Sequence, residues 1–276
     1  MPCPAAAAAD WARSARMPVS KRIAVISGAA HGIGKAIALI LANQAQSLIL
    51  LDKDEQGLEK LQRQINVQSG KTYPCHVDAY ALDVTDEEQV ENRFALLEAS
   101  HDHVDILINA VGGSSSSGNA GAGIEDMDMR QWQSLIALNL NSVFLCCRAA
   151  VPLMKKNAYG RIVNFSSIAS HGRRDKVSIA YAASKAGVEG LTRKLARELA
   201  PFGITCNAIA PGITLTERID EQFWQVRSVD QRQAVLDSIP LGRLSTPEEQ
   251  AEVAVFLASE SSGYMTGQII EVSGGI

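Results

Sequence analysis

The chain has 276 residues, enough for one large α/β domain or two small ones, and 46% of them are hydrophobic, so a sizeable core is expected. A net charge of −4, with no basic stripe, argues against nucleic acid as a partner, and no apolar run approaches the roughly 18 residues that span a bilayer. The cysteines (Cys3, Cys75, Cys146, Cys147 and Cys206) are odd in number and contain no C-x-x-C pair, which speaks against a disulfide framework or a zinc site and for a reducing, cytoplasmic compartment.

Residues 1–20, MPCPAAAAADWARSARMPVS, differ from the rest and read as a poorly ordered extension, with Met17 as an alternative start and a transit peptide as the rival reading. From Lys21 onward the pattern is regular. RIAVIS (22–27) is strand-like, GIGKAIALILANQA (32–45) has helical spacing, SLILLD (47–52) is again a strand, and EQGLEKLQRQINV (55–67) is an amphipathic helix. HVDAYALDV (76–84), EEQVENRFALLEAS (87–100) and VDILINAV (104–111) continue the alternation. A long helix follows over 128–156, with Cys146 and Cys147 facing or near its core side. GRIVNFSS (160–167), a helix carrying Tyr181, GITCNAIAP (203–211), a helix over 247–258 and QIIEVSG (268–274) complete the chain. Continuous apolar strands alternating with helices imply an α/β fold: a single doubly wound parallel sheet with helices on both faces, over 21–276. GGSSSSGNAGAG (112–123) reads as a flexible loop at a strand's C-terminal end, and 213–240, mixed in pattern, as a substrate lid.

SGAAHGIG (27–34) follows the first strand and opens the first helix. Gly28, Gly32 and Gly34 supply a tight turn and close backbone approach, and the helix N-terminus offers free amides to a pyrophosphate, with His31 and Ile33 in the same turn. Asp52 closes the second strand, where a carboxylate accepts from adenosine ribose hydroxyls and repels a 2′-phosphate. Lys53 and His31 pull the other way. The balance favours NAD over NADP. AYAASKAG (180–187) places Tyr181 and Lys185 on one face of a helix among small side chains. A nearby ammonium favours phenolate, so such a tyrosine can exchange a proton with an alcohol near neutral pH. Ser167, at the end of a strand, is placed to hydrogen-bond a substrate oxygen, with Ser166 as its competitor. The five histidines show no metal-ligand spacing, and no metal is expected.

These motifs, taken in order, resemble the short-chain dehydrogenase/reductase family in its shorter form. The marks are the G-x-x-x-G-x-G turn, Asp83–Val84, LINAVG (107–112), NLNSVF (139–144), NFSS (164–167), YAASK (181–185), PGITLT (211–216) and YMTGQ (264–268). The likeness spans 21–276 and is closest to bacterial ketoacyl-carrier and polyol or sugar reductases. It implies Asn139, Ser167, Tyr181 and Lys185 as the catalytic set, with the Asn139 main-chain carbonyl holding a water that links Lys185 to solvent. It implies cofactor contacts at Asp83, Val84, Asn109, Ala110, Gly112, Tyr181, Lys185, Pro211, Gly212, Thr214 and Thr216. It further implies a homo-oligomer, tetramer or dimer, acting on a small alcohol or carbonyl compound. An oxidative dihydrodiol or polyol dehydrogenase and a cofactor-binding regulator without turnover are the alternatives.

The sequence departs from the family at Ala110, where a second asparagine is usual, and at Ser273, where an aspartate is usual. SHGRRDKVS (170–178) joins two catalytic elements. If Arg173 or Arg174 turns inward, the substrate carries an acidic group; if Asp175 holds them outward, the loop is ordinary surface.

Overall fold

The computed structural model describes residues 22–45, 47–68, 75–114, 124–173 and 177–276. The extension expected over 1–20, Arg174 with Asp175, and most of the glycine–serine stretch lie outside the described residues. The strands are β1 (Ile23–Ser27), β2 (Ser47–Asp52), β3 (His76–Ala81), β4 (Ile106–Asn109), β5 (Gly160–Phe165), β6 (Ile204–Pro211) and β7 (Ile269–Val272). The helices are α1 (Gly32–Leu41), α2 (Glu55–Gln68), α3 (Glu87–His101), α4 (Met129–Lys156), α5 (Ile179–Leu199), α6 (Val229–Asp237) and α7 (Pro247–Ala258).

The seven strands pair in parallel in the order β3-β2-β1-β4-β5-β6-β7. Side chains alternate across each strand, and both faces are covered, so successive residues enter two different cores. Ala24, Ile26, Leu48, Leu50, Ile106 and Ile108 pack with α1, α2 and α7. Ile23, Val25, Ile49, Leu51 and Leu107 pack with α3, α4 and α5. This is why the strands read as unbroken apolar runs rather than alternating ones. Side chains at the helix starts satisfy the first free amides. Asp86 accepts from Gln89 N–H, Asp128 from Gln131 N–H and Ser178 from Tyr181 N–H. Thr246 and Glu249 form a reciprocal capping box on α7.

Helix α4 corrects one expectation: it is long and apolar enough, by length and composition, to cross a membrane. The scan for an unbroken apolar run missed it because polar residues punctuate it. Val143, Leu145, Cys146, Cys147, Ala150, Leu153 and Met154 are buried against the sheet and its neighbours, and Asn139 is fully buried, so α4 is a core helix of this fold. Cys75, Cys146, Cys147 and Cys206 are buried free thiols. Burial pushes the thiols of Cys75 and Cys206 up, to about 11 and about 12, so they are inert packing groups.

The chain order reverses at β1. It runs outward through β2 and β3, then returns to pair β4 on the other side of β1, with Ser27 opposite both Leu51 and Asn109. The crevice at the C-terminal ends of β1 and β4 is where a doubly wound sheet takes its ligand.

Candidate active site

The turn from β1 into α1 admits only glycine at three places. Gly28 has φ +74° and Gly32 φ +53°. A Cβ on Gly28 would stand 2.8 Å from Val111 N, and one on Gly34 would collide with Gly28 O. The turn therefore brings backbone against backbone and leaves the first amides of α1 facing the crevice, a cradle that fits a pyrophosphate. Asp52 sits half-buried at its edge. Its Oδ2 accepts from Ala30 N–H at 3.0 Å and its Oδ1 from Asp54 N–H at 3.1 Å, which fixes the carboxylate while leaving lone pairs on both oxygens for ribose hydroxyls.

Across the crevice, α5 carries the proposed proton chemistry. Ser178 caps the helix, and the small residues after it allow close packing. Lys185 is almost fully buried, and its Nζ donates to Phe165 O at 2.7 Å, at the end of β5. The ammonium lies 5.8 Å from the centre of the Tyr181 ring. A Cβ on Gly112 would stand 2.9 Å from both Lys185 Nζ and Asn139 Oδ1, so this glycine makes room for the pair. Burial, and then the charge of Arg218, pulls the Lys185 pKa down to about 7. Asn139 lies in a π turn (Ala137–Asn141) within α4, a widening that recurs at functional sites. Its side chain exchanges two hydrogen bonds with the main chain of Gly113, each 3.0 Å, and donates back to Leu135 O.

The two serines separate clearly. Ser166 donates to Lys185 O at 3.1 Å and lies 3.0 Å from Glu189 Oε1, so it ties β5 to α5. Ser167 Oγ accepts from Ala169 N–H at 3.2 Å at the start of a short 3-10 turn, which leaves its own proton available to donate. Glu189 anchors this corner. Burial opposes its charge, but hydrogen bonds from Ser170 and Ser166, with His171 and Arg193 nearby, prevail and lower its pKa. Nothing in the local sequence around Glu189 signalled that role.

Several expected cofactor contacts are placed differently. His31 Nε2 lies 2.6 Å from Asp54 Oδ2 in an exposed pair. Lys53 is exposed at the rim. The Asn109 side chain points into the sheet, donating to Asn164 Oδ1 at 2.9 Å, so only its main chain can meet a nucleotide. Thr214 Oγ1 is 2.9 Å from Ser245 Oγ, a bond that holds the strand end rather than a ligand. Ala110 lies against Gly28, Val84 is buried, and Asp83 Oδ1 accepts from Thr85. Gly212 approaches Ser273 too closely for a side chain. Ile33 and Pro211 sit at the ends of the elements bounding the crevice, and Thr216 reaches across it to Gly32. Arg173 is turned outward, donating to Glu271 at 2.8 Å and to the main-chain O of Ile276 at 2.9 Å, so it offers no inward anion handle. Glu271 is thus a partner the sequence did not suggest, brought near because His171 of the 3-10 turn also stands 3.2 Å from the same carboxylate on β7; Asp175 lies outside the described residues.

The segment Thr216–Arg218 was not singled out by charge, yet it closes the crevice. Glu217 Oε2 accepts from Gly32 N–H at 3.0 Å, and Lys35 stands 3.6 Å from its other oxygen. A carboxylate thus occupies the helix terminus that a pyrophosphate fits. Burial raises the cost of that charge, but backbone amides with Lys35 and His31 outweigh it and lower the Glu217 pKa.

Residues 28–276 match a family profile described as enoyl-(acyl carrier protein) reductase. The 3-oxoacyl-[acyl-carrier-protein] reductase FabG of Thermotoga maritima is 36% identical over 264 residues, covering 94% of this chain and 99% of its own. The chain belongs to the short-chain dehydrogenase/reductase family. Two solved structures share the fold. YwfH, an NADPH-dependent reductase involved in bacilysin biosynthesis, superposes with a TM-score of 0.83 at 28% identity, covering 93% of this chain and 98% of its own. A 3-oxoacyl-[acyl-carrier protein] reductase from Brucella melitensis with bound NAD has a TM-score of 0.81 at 29% identity, covering 96% and 95%. The chain is therefore an NAD(P)-dependent oxidoreductase acting on CH–OH groups. The relatives include both an NADPH-dependent protein and one with bound NAD, so they do not decide which dinucleotide is preferred.

Proposed function

We propose that this short-chain reductase interconverts a secondary alcohol and a carbonyl, with Tyr181 as the group that moves the proton. The observation that supports this reading is Lys185 held between Phe165 O, the Tyr181 ring and the Gly112–Asn139 wall, with Ser167 two residues beyond Phe165 at the end of β5. The nicotinamide dinucleotide, when bound, supplies or accepts the hydride. Gly28, Gly32 and Gly34 would cradle its pyrophosphate, and Asp52 its adenosine ribose. Ser167 donates its free hydroxyl proton to the substrate oxygen and orients it. Tyr181 gives a proton to that oxygen in reduction and takes it back in oxidation. Lys185, with a pKa near 7, can exchange a proton near neutral pH, which suits a relay behind Tyr181. Asn139 fixes the Gly113 main chain and so shapes the wall beside Lys185. The segment 213–240 acts as the substrate lid.

NAD is the favoured dinucleotide. Asp52 presents a fixed carboxylate where a 2′-phosphate would lie, and His31 is already paired to Asp54. We expect a cytoplasmic homo-oligomer, tetramer or dimer. The first substrate to try is a 3-oxoacyl thioester, the class named in the relatives, beside ketones, sugars and diols. Consumption of reduced cofactor, followed by absorbance with NADH and NADPH in turn, tests both parts. No turnover of any carbonyl or alcohol would refute the reading, and a higher kcat/KM with NADPH would refute the cofactor choice.

A further inference from the structure

Arg218 belongs to the lid side of the crevice, on a short helical turn (Glu217–Ile219) after β6. Its guanidinium lies over Gly113: a Cβ there would stand 2.5 Å from Arg218 Nη1. Gly113 is the residue that Asn139 clamps on both its N–H and its C=O, and the preceding Gly112 touches Lys185. Arg218 therefore stands one residue from the catalytic group, on the open side of the cleft. Two cations, Lys185 and Arg218, face the same space.

The carboxylates nearest in sequence are committed elsewhere. Glu217 binds Gly32 N–H and Lys35, and Asp220 Oδ1 accepts from Gln225. Among the described residues, Arg218 makes no ion pair and no hydrogen bond. A guanidinium offers a planar fork that matches a carboxylate or phosphate with two parallel bonds. Held against a glycine with no side chain to cover it, that fork is left for an anion from outside the chain. The outward pairing of Arg173 removes its described rival.

We infer that Arg218 recognises an acidic group on the substrate, a few atoms from the reacting carbonyl or alcohol carbon. The inference rests on the carbonyl-reductase reading above and narrows its substrate class to oxo acids and hydroxy acids. The positive pair also accounts for the mutual cost the two cations impose, since the charge of Arg218 is one of the two causes that depress Lys185. An anion seated between them relieves that repulsion, so substrate binding and the charge of Lys185 support one another.

The test pairs a 3-oxo carboxylic acid with its own methyl ester, which keeps the carbon skeleton and removes the charge. Wild type, Arg218→Ala and Arg218→Lys are compared for kcat and KM on each, and reduced-cofactor affinity is measured by fluorescence titration. A non-reacting carboxylate, 3-methylbutanoate, is titrated into the enzyme saturated with oxidised cofactor as a second readout. Wild type is expected to favour the acid, chiefly through KM. Arg218→Ala should lower kcat/KM on the acid about 10- to 100-fold, the usual range for losing a hydrogen-bonded charge partner, with a much smaller change on the ester. It should also weaken 3-methylbutanoate binding, and Arg218→Lys should fall between. Equal losses on acid and ester, no loss on either, or a loss of cofactor affinity instead would each overturn the inference, the last by assigning Arg218 to the cofactor. If wild type reduces neither compound nor the wider panel, the carbonyl-reductase reading fails, and Arg218 is then judged by carboxylate binding alone.

Discussion

Tyr181 and Lys185 stand one helical turn apart, but in different surroundings. Tyr181 is only half-buried at the start of α5, where its hydroxyl can meet a substrate, so Tyr181→Phe should bind cofactor nearly as before and lose turnover by about 10²–10⁴. Near-normal turnover in that variant would remove the proton role. Lys185 is buried, and its lowered pKa carries a stability consequence. Between about 7 and the ordinary 10.5 the unfolded chain binds a proton that the folded chain does not, so stability rises with pH across that window. The cost of burying the charge is present in full below pH 7 and has gone above 10.5. Lys185→Met removes this titration. The variant should gain thermal stability relative to wild type most at pH 7 and below, and the difference should shrink as pH rises toward 10. A melting-temperature difference that stays constant from pH 6 to pH 10 would contradict the assigned cause. Cofactor affinity should fall in the same variant if the ammonium also contacts the ribose.

Helix α1 and the turn at Glu217–Ile219 meet across the crevice, and their contact is a competition between anions. The amide of Gly32 and the helix dipole favour one negative group, and Glu217 supplies it from within the chain. A pyrophosphate seated at this amide, as proposed, would have to displace that carboxylate, so Glu217→Ala should tighten cofactor binding by about 2- to 5-fold, the size of one charge at a helix terminus. Isothermal titration with NADH measures this directly, and weaker binding would mean that Glu217 helps to hold the cofactor instead. This contact also marks where sequence reading stops. The strands, α1 and the glycine turn follow from apolar runs and from glycines that no other residue can replace. Their ends are less legible. The helix read over 32–45 stops at Leu41, and the strand read over 160–167 stops at Phe165, because Ser166 turns to α5 and Ser167 caps the next turn. Tyr181 and Lys185 are readable because helical spacing alone puts them together. Glu217 against Gly32, Asn139 against Gly113 and Arg218 over Gly113 are not, since they join segments far apart in the chain that only the sheet order brings together.

The whole molecule places its candidate site and a buried ion-pair cluster at opposite ends of the sheet. The candidate site groups described above lie at the C-terminal ends of β1, β2, β4, β5 and β6, or on the segments that follow them. At the other end, where β1 and β4 begin, Arg22 is almost completely buried, with Nη1 3.2 Å from Asp105 and Nη2 3.0 Å from Glu260, and its guanidinium 3.5 Å from the centre of the Tyr159 ring. Asp105 is fully buried and also accepts from Ile23 N–H at 2.9 Å and Asn157 at 3.2 Å, so one carboxylate joins the start of β1, the approach to β4 and the end of α4. A buried ion pair of this kind adds little net stability over an apolar replacement, but breaking it leaves a charge in the interior. Asp105→Ala should therefore cost about 3–5 kcal/mol of folding stability, read as a lower urea midpoint. The crevice is formed by different residues at the other end of the same strands, so the folded fraction of that variant should keep its affinity for reduced cofactor within about 2-fold, well under the tenfold that 1.4 kcal/mol would produce. Loss of cofactor affinity in step with stability would show that the two ends of the sheet are coupled rather than independent.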